Sequence, residues 1–309
     1  RNIQDRVEQI AKWLWLDNDP YIIAGEETFT WMWDAATWSR YYPYADIQRV
    51  EMGTSNQKVR YVRPSVKITM DAYNGMPHFY VVDPDDPIIQ TWQRVFPSLF
   101  KDLSEMPEEL QAHIRYPEQM FTLQTKVLEI HHMTNPLALY NRNNMWEIAE
   151  ENFGGAMQVT APRYVLTVLP GEDKLEYILN WSYTQKGKEF PKAFIAARSR
   201  TGHYGEIVLY EYPENETITG PAQMERDLDQ HTELSSALTL VNQKGKRVVR
   251  GNLMIVPIGE TILYVKPLYV ESTATATTGE SEALPQLSFV AIGSSGEAIA
   301  HGTSLDKAL

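Results

Sequence analysis

The spacing of hydrophobic residues changes along the chain, and each spacing predicts a kind of element. At the start, Ile3, Val7, Ile10 and Leu14 recur every three or four residues. Residues this far apart share one face of a helix, so the pattern predicts an amphipathic helix over residues 2–17.

Strand-length apolar runs flanked by turn residues predict β-hairpins in the first half of the chain. Residues 21–24 and 28–33 form the first pair. Residues 59–73 and 76–83 form the second, joined at Asn74–Gly75, where both residues tolerate the positive φ of a type I′ turn. In the second half, strands are predicted at 163–169, 176–184, 205–212, 247–258, 261–270, 286–293 and 297–301.

Proline and polar capping residues predict where helices begin. Asp86 before Pro87 is typical of an N-cap followed by proline at the first helical position, for a helix to about Val95. We expect Asp86→Ala to cost about 1 kcal/mol as a lost cap. Further helices are predicted after Pro107, at 118–133 after Pro117, and at 190–199, 222–242 and 303–309.

Adjacent hairpins with helices between them indicate an α+β fold of antiparallel hairpins and mixed sheets. The glycines and polar residues of 150–162 favour a boundary between two domains. We expect an aromatic-rich α+β domain at 1–155 and a strand-rich α+β domain at 156–309. Two turns are predicted in the second domain, a type II′ turn at Gly259–Glu260 and a turn at 294–296, and the composition of 272–283 is typical of a linker.

Charge and cysteine content exclude several classes of function. The 309 residues include 28 basic and 40 acidic side chains, a net charge of −12, which disfavours nucleic acid as a general partner. Without cysteine there is no thiol nucleophile and no cysteine-ligated metal or cluster. The apolar runs are of strand length and mean hydropathy is −0.37, so we expect a soluble region whose membrane attachment, if any, lies outside it. A start at Arg1 fits a processed chain or a piece of a longer protein.

Three groups of polar residues are the candidates for chemistry. The loop Asp83–Asp86 lacks the spacing of a calcium loop and favours a turn with a helix cap, without metal. Neighbours His131 and His132 point about 100° apart on a helix, so we expect no metal to bind. His131 lies on the apolar face, and we expect it to be a buried, hydrogen-bonded core or interface residue. Surface carboxylates that a glycosidase-like pair would need occur at Glu108–Glu109, at Glu150–Glu151, and at Glu225, Asp227 and Asp229. No cofactor site is predicted.

Aromatic side chains near the N-terminus are the candidate docking or binding residues: Trp31, Trp33, Trp38, Tyr41, Tyr42 and Tyr44. Trp31 and Trp33 share one face of a strand, with Met32 on the other. We expect an ordered loop that packs its rings from Trp38 to Tyr44. Two readings stay open: the rings form core between the first hairpin and the first helix, or part of the set is exposed for a partner.

Several stretches together carry a family resemblance that spans nearly the whole chain. They are Arg63-Pro-Ser-Val-Lys-Ile-Thr-Met-Asp-Ala-Tyr-Asn-Gly75, Phe79-Tyr-Val-Val-Asp-Pro-Asp-Asp-Pro87, Leu103-Ser-Glu-Met-Pro107, His113-Ile-Arg-Tyr-Pro117, Tyr140-Asn-Arg142 with Trp146-Glu147, Ala196-Ala-Arg-Ser199, Gly220-Pro-Ala-Gln223, Arg250-Gly-Asn-Leu253, Leu263-Tyr-Val-Lys-Pro-Leu-Tyr269 and Ala283-Leu-Pro285. As a set they resemble an uncharacterised bacterial family of multipass membrane proteins, one of the numbered families of unknown function. Asn74 and Pro64 depart from the usual family residues, aspartate and asparagine.

The resemblance implies a place in the cell rather than a reaction. Family members look like several membrane helices followed by a large extracytoplasmic region, which this chain would be. The first function expected is a non-enzymatic binding or docking module at the cell envelope. Its partners would be its own membrane-spanning region, an envelope component or a second copy, and not nucleic acid. The alternative is an envelope hydrolase, acting on glycan with two carboxylates.

Overall fold

The computed structural model describes residues 3–25, 28–52, 55–153, 155–213, 218–242, 246–258, 261–272, 284–294 and 299–309. The chain forms two compact units. Unit 1 comprises Arg1–Gln124 with Arg200–Gly202, and unit 2 comprises Thr125–Ser199 with His203–Leu309. Both units combine hairpins with helices, which confirms the α+β class.

Unit 1 begins with a helix and is otherwise built mostly of strands. Its elements are α1 (Ile3–Ile10), β1 (Trp15–Leu16), β2 (Tyr21–Ala24), β3 (Phe29–Ser39), β4 (Gln48–Met52), β5 (Ser55–Val59), β6 (Tyr61–Asp71), β7 (Pro77–Val81), α2 (Pro87–Val95), β8 (Phe100–Asp102), a 3-10 turn (Leu103–Glu105), α3 (Glu108–Gln111) and α4 (Glu118–His131), which continues into unit 2.

The main sheet of unit 1 has the order β1-β3-β6-β7-β8, and β2 also pairs with β3. Only β7 and β8 run parallel, so the sheet is mixed. Apolar residues of α1, α2 and the sheet form one core, because alternate strand residues face the helices. That core contains Val7, Ala11, Leu14, Leu16, Trp33, Ala35, Val66, Ile68, Met70, Phe79, Val81, Ile89 and Phe100.

The described residues of unit 2 form two larger sheets, one small hairpin and four helices wholly within the unit. Its elements after α4 are α5 (Pro136–Asn141), β9 (Trp146–Ile148), β10 (Glu150–Phe153), β11 (Ala156–Val159), β12 (Arg163–Val168), β13 (Leu175–Gln185), β14 (Pro191–Arg198), β15 (Ile207–Glu211), α6 (Pro221–Gln230), α7 (Thr232–Asn242), β16 (Lys246–Arg250), β17 (Met254–Ile258), β18 (Thr261–Ser272), β19 (Gln286–Ser294), β20 (Ile299–Gly302) and α8 (Leu305–Ala308).

Both larger sheets of unit 2 are antiparallel. The first has the order β12-β13-β14-β15 with β9 also on β13, and the second has the order β16-β18-β19-β20 with β17 also on β18. Helix α6 packs Met224 and Leu228 on one face of the second sheet, against Tyr264 and Leu268. Because Pro257 lies in β17, which pairs only with β18 among the described strands, it occupies an edge position, where a residue without a backbone N–H is tolerated.

Several predicted elements are confirmed almost residue for residue. Strands β2 and β3 pair as the first hairpin, and β6 and β7 as the second. The helix after Asp86 runs over Pro87–Val95, and the Asp86 side chain accepts from the Ile88 backbone N–H. The strands predicted at 247–258 and 261–270 pair with each other, but the first is divided into β16 and β17 by residues 251–253.

The first helix is shorter than predicted. It ends at Ile10, and Trp15–Leu16 forms a strand that pairs with Ala35 and Ala36. Apolar side chains at 13–16 fit either structure, and ladder hydrogen bonds to β3 favour the strand. The prediction of a single helix over 2–17 is therefore wrong after Ile10.

The loop predicted from Trp38 to Tyr44 is wrong in two respects. Trp38 belongs to β3 and lies opposite Val62 of β6. Tyr41 and Tyr44 are 90% and 106% exposed, so their rings are not packed.

The turn between β6 and β7 differs from the predicted type I′. Only Gly75 has a positive φ, of 67°. The Asp71 carboxylate accepts from the backbone N–H of Tyr73 and of Asn74, each at 2.8 Å, which holds the chain before Gly75 in an Asx-type turn.

One helix predicted in unit 2 is a strand, and another is divided into two helices. Within the predicted helix 190–199, residues Pro191–Arg198 form strand β14 between β13 and β15, because their small and branched side chains fill a buried sheet position. Residues 222–242 form two helices, α6 and α7, divided at His231. The turn at Gly259–Glu260, most of the linker at 272–283 and most of the turn at 294–296 lie outside the described residues.

Candidate functional site

A broad groove of about 580 Å³ opens in unit 1 beside α1. It is lined by Gln4, Asp5, Glu8, Gln9, Lys12, Leu14, Trp15, Leu16, Trp38, Arg40, Met52 and Gln57. We name it the Trp38 groove. Its volume lies within the range of small-molecule sites.

Helix α1 supplies one wall of the groove because its two faces differ. Val7 is fully buried in the core of unit 1, which turns Asp5 and Glu8 outward. Gln4 donates a hydrogen bond of 2.9 Å to the Glu8 carboxylate, one helical turn away. That wall therefore offers amide and carboxylate groups.

The rest of the lining carries an indole ring and a guanidinium. Trp38 is half-buried at the end of β3, and the Arg40 guanidinium carbon lies 5.6 Å from the centre of its ring. Arg40 also donates to the Gln57 side chain, which limits its freedom. The indole N–H of Trp15, which also lines the groove, is buried and has no acceptor among the described residues.

The structure places the six predicted aromatic residues in three different settings. Trp33 belongs to the core of unit 1 and Trp31 packs against that core, so they share a face as expected. Trp38 alone of the six lines the groove. The three tyrosines follow β3 and are exposed, with Tyr42 stacked on Tyr61 at 5.3 Å.

A buried ion pair lies within the main sheet of unit 1. The Lys67 ammonium pairs with the Asp34 carboxylate and donates to the Arg115 carbonyl. Burial, and then the negative charge of Asp34, raise the pKa of neighbouring Asp17 to about 6. Asp17 and Asp34 both line a cavity of only about 10 Å³, the room of a single water molecule.

Two of the carboxylates predicted in unit 2, Glu225 and Asp229, form ion pairs. Glu225 pairs with Lys266, and both are buried. Burial raises the pKa of Glu225, against the attraction of Lys266. Asp229 pairs with Arg250 at 2.6 Å. Buried charges with a partner of this kind are typical of structural networks.

Among the described residues two lysines are buried, and neither was predicted from the sequence. Lys67 and Lys266 each stand alone within an apolar strand run. A single lysine between residues that a strand buries on both faces indicates a buried charge with a partner. That pattern was the available signal, although it does not identify Asp34 or Glu225 as the partner.

The acidic loop and the histidines show no metal geometry. Asp86 accepts hydrogen bonds from Thr37, Tyr61 and Ser65 and from the Ile88 backbone. In the described part of the chain, no group of three or more His, Asp or Glu residues could hold a metal ion.

The expectation for His131 is wrong, and its neighbour is the packed residue. The His131 side chain is exposed. His132 stacks on Trp146 at 3.7 Å between ring centres, and its ring nitrogens face the carbonyl oxygens of Leu128 and Asn144. The spacing predicted that His131 lies on the covered face of α4, but the residue that packs is His132. Contacts with residues distant in sequence, such as Trp146, decide which side of the helix end is covered.

Comparison with known proteins identifies relatives but no activity. The chain is 41% identical over 310 residues to a UPF0182 protein of Desulforamulus reducens and 40% identical over 309 residues to one of Methanospirillum hungatei. These matches cover 100% of the chain and 32% and 34% of the relatives, so it spans about a third of their length. A UPF0182 protein of Salinibacter ruber is 43% identical over 270 residues, covering 87% of the chain and 28% of that protein.

No helix in the described ranges is long and apolar enough to cross a membrane. No solved structure matches the chain significantly. Residues 1–241 match the sequence pattern of one family, described as an uncharacterised protein family. On this match and on the relatives' identity over the full chain, the protein belongs to the UPF0182 family.

Proposed function

We propose that the chain is a binding module on the extracytoplasmic side of a cell-envelope membrane protein, and that the Trp38 groove binds a polyhydroxylated envelope component such as a glycan. The observation that carries the proposal is that an indole ring and several amide, carboxylate and guanidinium groups line the same groove. A sugar ring has an apolar C–H face that stacks on an indole and hydroxyls that bond to amides, carboxylates and guanidinium.

The groove favours binding over hydrolysis. A glycosidase needs two carboxyl groups that flank the scissile bond. Here Asp5 and Glu8 are three residues apart on α1, so they lie on the same wall. None of the other described residues that line the groove is a carboxylic acid, so no second acid lies away from α1.

The rest of the longer protein is proposed to supply the membrane anchor. The relatives are about three times as long as this chain, which leaves room for membrane helices elsewhere. The exposed Tyr41, Tyr42 and Tyr44 are then a docking surface for that membrane-spanning region.

Saccharide titration tests the groove. Chitotetraose, a cello-oligosaccharide and a manno-oligosaccharide are added to the purified chain, and binding is followed by calorimetry and by tryptophan fluorescence. We expect at least one saturable saccharide and a loss of at least tenfold in affinity with Trp38→Ala, about 1.4 kcal/mol. Tyr73→Ala, an exposed ring of unit 1 that does not line the groove, is the matched control. No saturation by any saccharide, or equal losses for both variants, would contradict the proposal.

Thiol labelling tests the location. The chain contains no cysteine, so it needs only one introduced thiol as a reporter. In a full-length relative, all native cysteines are replaced and one cysteine is placed at the position that corresponds to Tyr73. We expect a membrane-impermeant maleimide to label it in cells whose cytoplasmic membrane is intact. Labelling only after that membrane is opened would place the module in the cytoplasm and refute the extracytoplasmic location.

A further inference from the structure

The second sheet of unit 2 has an open, mainly apolar cleft on the face opposite α6. Its volume is about 650 Å³, within the range of small-molecule sites. We name it the Arg163 cleft. It is lined by Phe153, Arg163, Val249, Arg250, Gly251, Asn252, Met254, Val265, Pro267, Tyr269, Pro285, Leu287, Val290 and Leu305.

Strand alternation explains why this face is apolar. Tyr264 and Leu268 of β18 pack in the core with α6, so Val265, Pro267 and Tyr269 face the cleft. Leu287 and Leu305 remain 49% and 44% exposed at the cleft. Apolar side chains gathered at an open concave surface are typical of a binding site.

One cation of the cleft keeps its hydrogen-bonding capacity. Arg250 is bonded to Asp229 at 2.6 Å. The nearest carboxylate oxygen to Arg163 is that of Glu151, at 3.8 Å, and the Arg163 guanidinium donates no hydrogen bond within the described residues. Glu151 uses its other oxygen to accept from the Leu253 backbone. A guanidinium offers five N–H donors in a plane that matches a carboxylate or phosphate.

We propose that the Arg163 cleft binds the alkyl chain of an anionic amphiphile, with its acidic head group on Arg163. The apolar lining removes the alkyl chain of the ligand from water, and the Arg163 guanidinium donates hydrogen bonds to its head group. The occupant follows from this charge complementarity: a cationic head would meet Arg163 with the same sign. The proposal is independent of the saccharide function proposed for unit 1.

Isothermal titration with sodium dodecanoate below its micellar concentration tests the cleft. Dodecyltrimethylammonium, which has a dodecyl chain and the opposite charge, is the ligand control. We expect saturable binding of one dodecanoate per chain and at least tenfold weaker binding of the cation. Equal affinity for the two amphiphiles, or no saturation by dodecanoate, overturns the proposal.

Paired variants locate the binding. We expect at least a tenfold loss with Leu287→Asp and none with Leu240→Asp, an exposed leucine of α7. Arg163→Gln should lose at least tenfold, Arg163→Lys should recover part of that affinity, and Arg247→Gln on β16 should bind normally. Circular dichroism confirms that each variant is folded. Unchanged binding by Leu287→Asp overturns the proposal even if Arg163→Gln fails to fold.

Sedimentation with vesicles distinguishes the source of the amphiphile. Vesicles of phosphatidylglycerol with phosphatidylcholine are compared with vesicles of phosphatidylcholine alone. Dodecanoate binding without sedimentation assigns the cleft to a free amphiphile. If the protein sediments with the anionic vesicles and Leu287→Asp abolishes this sedimentation, the cleft is assigned to a bilayer lipid.

Discussion

Replacing Asp86 should destabilise unit 1 far more than the loss of a helix cap. Asp86 is fully buried, and its carboxylate accepts from Ile88 N at 3.0 Å, from Tyr61 and Ser65 at 2.6 Å each, and from Thr37. Burial opposes the charge, but these hydrogen bonds outweigh it and hold the pKa of Asp86 below its usual range.

The magnitude follows from the number of donors left behind. A lost N-cap costs about 1 kcal/mol. Each buried donor left without an acceptor costs about 1–3 kcal/mol, part of which is recovered when a hydroxyl rotates to another acceptor. Ser65 already has one, the Arg63 carbonyl at 3.3 Å. We therefore expect Asp86→Ala to cost about 3–5 kcal/mol, compared with about 1 kcal/mol expected from the sequence.

Urea denaturation of matched variants separates the two roles of Asp86. Asp86→Ser keeps a cap but not the carboxylate, so it should be about 1 kcal/mol more stable than Asp86→Ala. Asp85→Ala, next to it and exposed, should change stability by less than about 0.5 kcal/mol. A loss of about 1 kcal/mol or less for Asp86→Ala would refute the argument, because the hydroxyl donors would then contribute nothing.

The pH dependence gives a second check on Asp86. Because its folded-state pKa lies below the unfolded value, its stabilisation is complete above about pH 4. It is lost as the pH falls through the folded-state pKa. The stability difference between the wild type and Asp86→Ala should therefore shrink below about pH 4, and a constant difference would contradict the assignment.

Three further predictions can be tested by urea denaturation. The pKa of Asp17 is raised from 3.8 to about 6, so the folded state binds more protons between these pH values and loses stability as the pH rises through them. Asp17→Asn should remove this loss, and an unaltered pH profile of stability would count against the raised pKa. Lys67→Met should cost about 3–5 kcal/mol of stability by leaving Asp34 buried without its ammonium partner. Adding Asp34→Asn should restore part of that stability, and additive losses would argue against the pairing. Gly220→Ala should cost more than about 1 kcal/mol, because its Cβ would collide with the Glu189 carbonyl; an unchanged midpoint would show that the backbone can move.

Local signals in the sequence were sufficient where they act within a few residues. Asp86 before Pro87 predicted the start of α2, and Asn74–Gly75 predicted the position of a hairpin. The type I′ predicted for that turn was wrong, because the Asp71 side chain bonds the backbone before Gly75. Strand alternation likewise placed Trp31 and Trp33 on one face.

The candidate site was only partly accessible from sequence. An aromatic-rich segment pointed to Trp38 among six rings, but not to α1 as one wall of the groove. Asp5 and Trp38 are far apart along the chain, and their proximity depends on packing α1 beside the sheet. Arg163 gave no signal at all, because a lone arginine at a strand start is ordinary.

The sequence by itself determined the α+β class, the hairpin positions, the cap of α2 and, through relatives that match along the whole chain, the UPF0182 family. Each depends on neighbouring residues or on a pattern along the chain. Only the tertiary structure decided that 190–199 is a strand, that Lys67 and Lys266 are buried with carboxylates, and which aromatic rings remain exposed. Those outcomes depend on residues distant in sequence, since a short apolar segment adopts whichever structure lets it pair and bury its side chains against the rest of the fold.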